Sequence, residues 1–283
     1  MPNSFGSRLQ QAFDRYGQLC IGIDPHEQTL EQWGLEDSAR GLDYFANTML
    51  DACATRIGII KPQVSFFERH GSRGFAVLET ITNRAKDAGL LVIADAKRGD
   101  IGTTMQAYLD AWVGKGSIFF ADTLTVSPFL GLKSSTNLLG GVLERGKGLT
   151  VLVATSNPEG ESVQLNRNSE NETLSEQIWK QLHEINQVTA SAGDQFGPLS
   201  AVVGATLDFQ RFGLELELPG VKTAILAPGF GAQGARLGDI ERIFGGAKHQ
   251  VIASVSRSIS DAGAAGLVSE ISRSNDALAS GLS

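Results

Sequence analysis

Asp95, Lys97 and Asp100 fall within six consecutive residues that close the apolar run Leu91-Val-Ile-Ala. A lysine flanked by carboxylates is held protonated, because nearby opposite charge favours the ionised form. Ionised groups are rarely buried without partners, and such clusters concentrate at functional sites. If the run is a strand, residues two apart project to one side, so Asp95 and Lys97 share a face and Asp100 returns from the following turn. The plainer reading is a structural ion pair at a strand end, since structural pairs also perturb pKa values. What else the chain carries decides between the two.

A second group of residues points to anion binding. Pro228-Gly-Phe-Gly-Ala-Gln-Gly234 supplies glycines that let backbone N–H groups approach an anion, and Ser256-Arg257 opens a helix whose N-terminus favours negative charge. Asp24 and Lys61 close two further apolar runs, and Ser127 and Ser156 close two more. Asp and Ser at such ends are commonly turn residues, but Lys61, Lys97 and Arg257 have no such preference.

The elements that must carry these groups are short apolar runs alternating with segments of helical period. Eight candidate strands are Leu19–Asp24, Gly58–Lys61, Leu91–Asp95, Phe119–Val126, Leu149–Thr155, Ser200–Gly204, Thr223–Ala227 and Gln250–Val255. Most lack polar alternation, as strands covered on both faces do. Gly41–Thr55, Phe75–Ala88, Thr103–Val113 and Leu174–Val188 carry the clearest helical spacing. Eight strand–helix repeats predict an α/β chain folded as one (β/α)8 (TIM) barrel over residues 1–283, with functional groups at the C-terminal strand ends. An open doubly wound sheet is the runner-up, weakened because the first turn, Asp24-Pro-His-Glu, lacks a dinucleotide glycine fingerprint. Residues 1–16 are expected to form a helix closing the bottom of the barrel, 157–171 an exposed polar loop, 229–238 a lid over the phosphate, and 274–283 a frayed tail.

Composition narrows the function further. The chain has 283 residues, 42% hydrophobic and 19% charged, with a formal net charge of −7. That balance, with no basic run, argues against nucleic-acid or anionic-membrane partners. No signal peptide or membrane-length apolar run is evident, so a soluble cytoplasmic protein is expected. Cys20 and Cys53 read as core residues in a reducing compartment, and the four histidines lack metal-ligand spacing.

Together, Asp95-x-Lys97-x-x-Asp100-Ile-x-x-Thr104, Pro228-Gly-x-Gly-Ala-Gln233-Gly and Ser-Arg257-Ser resemble the orotidine 5′-phosphate decarboxylase family. The match runs from Asp24 to Arg257. Ile60-Lys-Pro-Gln-Val-Ser-Phe-Phe-Glu68 and Thr155-Ser-Asn-Pro158 are similar to the longer bacterial (type 2) branch. The resemblance implies decarboxylation of orotidine 5′-monophosphate to UMP, the last step of pyrimidine nucleotide synthesis, with no metal or organic cofactor. It implies that Asp24 and Lys61 hold the ribose, Asp95 lies against the substrate carboxylate and Lys97 protonates C6. Ser156 would bond the pyrimidine amide, and Gln233 and Arg257 would grip the phosphate. Asp100 and Thr104 would reach into the neighbouring subunit of a homodimer with shared sites.

Two rivals stand beside this reading. A metal-dependent sugar-phosphate decarboxylase or synthase of the same superfamily would share the Asp-x-Lys-x-x-Asp core, but the second strand ends in Lys61-Pro-Gln with no extra carboxylate or histidine. A non-catalytic nucleotide-binding barrel would keep the phosphate loop and have no use for the charged array.

Overall fold

The computed structural model describes residues 3–283. Among them the strands are β1 (Leu19–Ile23), β2 (Ile59–Pro62), β3 (Leu91–Arg98), β4 (Thr123–Val126), β5 (Gly148–Ala154), β6 (Phe196–Val203), β7 (Lys222–Ala227) and β8 (Val251–Val255). All pair in parallel and in chain order, and β1 pairs with β8 to close the barrel.

The period-2 alternation of each strand sorts its residues into two apolar environments. Ile21, Ile60, Val92, Leu124, Val151 and Ile225 face outward into the layer beneath the helices. Cys20, Ile59, Leu91, Ile93, Val202, Leu226 and Ile252 face the axis. Phe5 and Leu9 of the helix Phe5–Tyr16 join that inner group, so this helix packs against the N-terminal end of the barrel. The first two residues of the expected helix, Met1 and Pro2, lie outside the described residues. Continuing the inward rows by two, Ile59 leads to Lys61 and Ile93 to Asp95. The same alternation that fills the bottom of the barrel with hydrocarbon therefore places charge at its top.

Most expected helices form near their expected bounds. Ala39–Cys53 is capped by the Ser38 hydroxyl, which accepts from the Gly41 N–H, and Leu174–Thr189 by Thr173, which accepts from the Glu176 N–H. No helix among the described residues is long and apolar enough to cross a membrane. Cys20 and Cys53 are free and buried, and burial pushes each thiol up to about 12.

Several expectations need correction. Residues 274–283 are not a frayed tail: the helix Gly263–Leu282 runs through them, with Leu267, Ile271, Ser274 and Leu278 buried along one face. Residues 157–171 are largely exposed, but the first half is not a loop: Pro158–Gln164 is a helix, with proline in its first turn and Glu159 and Glu161 favourably placed at its N-terminus. It buries no residue, so it has no hydrophobic period to read. β4 starts at Thr123 because Phe119 stacks on Trp112 at 4.7 Å and meets Phe75 at 5.4 Å, ahead of the strand. β6 starts four residues early, at Phe196, and β3 runs on to Arg98, so Lys97 lies inside the strand.

Candidate active site

β2 and β3 meet at the top of the barrel, where Gln63 bridges Asp95 beyond the regular ladder. Lys61 and Asp95 are 7% and 8% exposed, burial that ionised groups tolerate only when paired. Lys61 Nζ lies 3.2 Å from Asp95 Oδ2 and 3.8 Å from Asp24 Oδ1. Lys97 Nζ lies 2.6 Å from the other Asp95 oxygen, Oδ1. One carboxylate thus joins two ammonium groups. Burial opposes the charge on Asp95, but Lys61 and Lys97 outweigh it and hold the carboxyl below its ordinary range. Burial also opposes the charge on Lys61, and Asp24 and Asp95 outweigh it and raise its pKa.

Asp24 is positioned by a close backbone approach. A Cβ on Gly22 would meet Ser256 Cβ at 2.8 Å and Asp24 Oδ2 at 3.1 Å, so only glycine lets the ends of β1 and β8 converge. Asp24 Oδ1 is buried and accepts no hydrogen bond among the described residues, and it is matched by the Lys61 ammonium at 3.8 Å. His26, its ring centroid 4.2 Å from that of Phe66, is held below the ordinary histidine pKa by burial, with Arg257 and Arg69 adding to the effect.

Two hollows flank the array. One, about 260 Å³, is lined by Asp24, Lys61, Asp95, Gln233, Ser256 and Arg257 among others. The second, about 300 Å³, has Lys97 at its edge and walls that include Ser127, Phe129, Leu152, Thr155, Val163 and Ile178. A larger hollow of about 510 Å³, between Tyr16 and Leu278, carries none of these charged pairs. The anion loop folds back on itself: the Gly231 N–H donates to Ala235 O at 2.8 Å, and the Ala235 N–H to Gly229 O at 3.1 Å. Gly229, Gly231 and Gly234 all take positive φ there, the conformation that favours glycine. Arg257 is exposed, and among the described residues its guanidinium makes no ion pair.

The remaining expected residues are placed differently. Asp100 does not join the array in its own chain: its Oδ1 accepts from the Ile101 N–H at 2.8 Å, and among the described residues it makes no ion pair. Thr104 lies exposed on the helix Gly102–Trp112, and Ile101, Phe129 and Leu130 are exposed apolar groups at 61%, 79% and 52%. Ser156 is exposed beside Gly204, while its neighbours Thr155 and Asn157 line the second hollow. The Ser127 N–H donates to Arg98 O at 2.8 Å, which braces the turn after Lys97.

Two residues escaped the sequence reading. Gln164, on the helix within 157–171, accepts from the Thr155 N–H at 2.9 Å and donates to Thr155 Oγ1 at 2.6 Å, clamping the end of β5. Thr125, fully buried on β4, bonds both Lys97 and Asp95. A threonine in a strand looks like β-propensity alone, so nothing local marks it. Among the described residues no cluster of three or more His, Cys, Asp or Glu is arranged to hold a metal ion.

Residues 17–269 match the profile of the orotidine 5′-phosphate decarboxylase / HUMPS family. The orotidine 5′-phosphate decarboxylase of Streptomyces coelicolor is 46% identical over 257 residues, covering 90% of this chain and 89% of that one. That of Myxococcus xanthus is 39% identical over 263 residues, covering 93% and 90%. A crystal structure of a Streptomyces avermitilis protein assigned the same activity aligns with a TM-score of 0.92 at 41% identity, covering 99% of this chain and 97% of that one.

Proposed function

The chain belongs to the orotidine 5′-phosphate decarboxylase / HUMPS family, and we propose that, as a carbon–carbon lyase converting orotidine 5′-monophosphate to UMP and carbon dioxide, it uses Lys97 as the proton donor. The observation that carries this reading is the Lys61–Asp95–Lys97 array at the C-terminal ends of β2 and β3. When the bond from C6 to the carboxylate breaks, carbon dioxide leaves and the electron pair stays on C6. That pair lies in the ring plane, where the π system cannot delocalise it. An ammonium beside C6 stabilises it electrostatically and then transfers its proton, forming the C6–H bond. Lys97 becomes neutral in that step and is reprotonated from solvent.

The other roles are those the family resemblance implies. Asp24, whose Oδ1 accepts no hydrogen bond, and Lys61 would take the ribose hydroxyls. Gln233 and Arg257 would hold the phosphate beyond them, and Ser156 the pyrimidine amide. Binding energy from the phosphate, remote from the reacting bond, is available to organise the reacting centre. Asp100 and Thr104 would serve the site of a second copy in a homodimer, a reading supported by the exposed Ile101, Phe129 and Leu130 beside them. Two free, buried thiols suit the cytoplasm.

The test is decarboxylation itself. Protein treated with EDTA is incubated with orotidine 5′-monophosphate and the loss of substrate absorbance is followed. Metal-independent conversion that falls at least about a thousandfold in Lys97→Ala, with UMP binding retained, is the expected result. Conversion that requires added divalent metal would overturn the cofactor-free mechanism, and full turnover in Lys97→Ala would overturn the proton donor.

A further inference from the structure

Lys97 sits in a backbone conformation that a lysine does not choose, with φ at +48°. The reason lies in the register between β3 and β4. Ala94 is opposite Leu124 and Arg98 opposite Val126, so four steps along β3 are matched by two along β4. The surplus residues bulge, and the Lys97 N–H loses the ladder carbonyl it would otherwise bond. Thr125 occupies the one position between those two pairs. Its Oγ1 accepts from the Lys97 N–H at 2.8 Å and lies 3.1 Å from Asp95 Oδ1 and 3.4 Å from Ala94 O. A hydroxyl has one proton to give, and the nearer, charged acceptor is the Asp95 carboxylate. Thr125 is fully buried, so water has no ready access to replace either bond.

We infer that Thr125 is a positioning residue for proton transfer: its hydroxyl latches the bulged backbone of Lys97 to the carboxylate that pairs the Lys97 ammonium. The inference rests on the decarboxylase reading of the site. A bulge held at functional geometry is strained unless its surroundings determine it, and this single side chain is bonded to the bulged Lys97 backbone and to the carboxylate that pairs the Lys97 ammonium. Thr125 touches neither hollow that the substrate would fill, so its effect falls on the aim of Lys97 and leaves nucleotide affinity alone.

Thr125→Val keeps the shape and removes the hydroxyl. Its kcat should fall about tenfold to a hundredfold, from the loss of hydrogen bonds to a charged partner, while KM and UMP affinity stay within about twofold. Thr125→Ser should recover most of the rate. The acid limb of the pH–rate profile should move upward in Thr125→Val, because removing a donor to the Asp95 carboxylate raises its pKa. Wild-type kcat in Thr125→Val would overturn the inference, as would a valine variant more active than serine, since packing of the methyl group would then be the role. If Thr125→Val fails to fold, the Thr125→Ser and Thr125→Cys pair decides: kcat retained in both removes the need for the hydroxyl, and kcat retained in serine alone supports it. Wild type and Lys97→Ala run alongside, so failure of the decarboxylase reading appears as an inactive wild type and is not confused with failure at Thr125.

Discussion

The ion pair between Lys97 and Asp95 is lopsided: the side chain of Asp95 is 11% exposed and that of Lys97 46%. The carboxylate is fixed inside the barrel mouth while the ammonium keeps a face toward the second hollow. Asp95 therefore has two duties, balancing buried Lys61 and aiming exposed Lys97.

Asp95→Asn should fail in both. Taking the negative charge from a buried pair leaves Lys61 with Asp24 alone, and unfolding free energy should drop by about 3 kcal/mol. The rate should fall at least about a hundredfold as Lys97 loses its guide. Urea unfolding and steady-state turnover read the two effects separately. An unchanged urea midpoint would contradict the pairing with Lys61.

Lys61 gives stability a signature at high pH. Its folded pKa is raised, so its contribution is complete below about pH 10.4 and is lost as pH climbs through the folded value. Asp95 is depressed, so its contribution is complete above about pH 3.9 and is lost as pH falls through its folded value. Between those limits the array adds a constant amount. Lys61→Met should show a shallower decline in unfolding free energy than wild type as pH rises above about 10.4, and the same slope below it. Equal slopes above it would mean that Lys61 is not held charged by its neighbours.

Arg257→Ala should weaken UMP binding by about tenfold to a hundredfold, the worth of a charge-assisted phosphate contact, with an unchanged melting temperature. Gln233→Ala should lose less, because a neutral amide gives a weaker bond. Calorimetric titration with UMP and with uridine distinguishes the outcomes. If the substitution weakens both ligands equally, the phosphate is not what Arg257 holds.

Asp100 and Thr104 are tested by mixing subunits. Lys97→Ala and Asp100→Ala homodimers should each be nearly inactive. After unfolding together and refolding, half the dimers pair one of each and hold one intact site of two, so activity should return to about a quarter of wild type. No recovery would place Asp100 outside a shared site.

Much of the architecture was legible because strands and charges obey short-range rules. Apolar runs marked all eight strands, and Asp95 and Lys97 do pair, though through a bulge at Lys97 that breaks the regular alternation their two-residue spacing assumes. Asp100 misled, because distance along the chain cannot say whether a turn carries a side chain back to its own strand or outward. The final helix was readable from Leu267, Ile271, Ser274 and Leu278 at helical spacing, but its Ala, Ser and Gly content obscured that row. Thr125 and Gln164 were beyond reach: each acts through partners fixed by register across strands or by a fold-back of the 157–171 segment, and neither leaves a local pattern.

Closure of the barrel through β1 and β8, with Ile21 opposite Val255, also orders events at the ribosome. Asp24 emerges early, yet the cavity it shares with Arg257 cannot exist until the intervening stretch has been translated. At ordinary elongation rates those roughly 230 residues take about 10 to 50 s, during which β1 has one unpaired edge exposed to other chains. Lys61, Asp95 and Lys97, carried on neighbouring β2 and β3, all lie within the first hundred residues made, and Thr125 of β4 follows soon after. Synthesis thus delivers the charged pairs of β2 and β3 first and completes the hollow lined by Gln233 and Arg257 last.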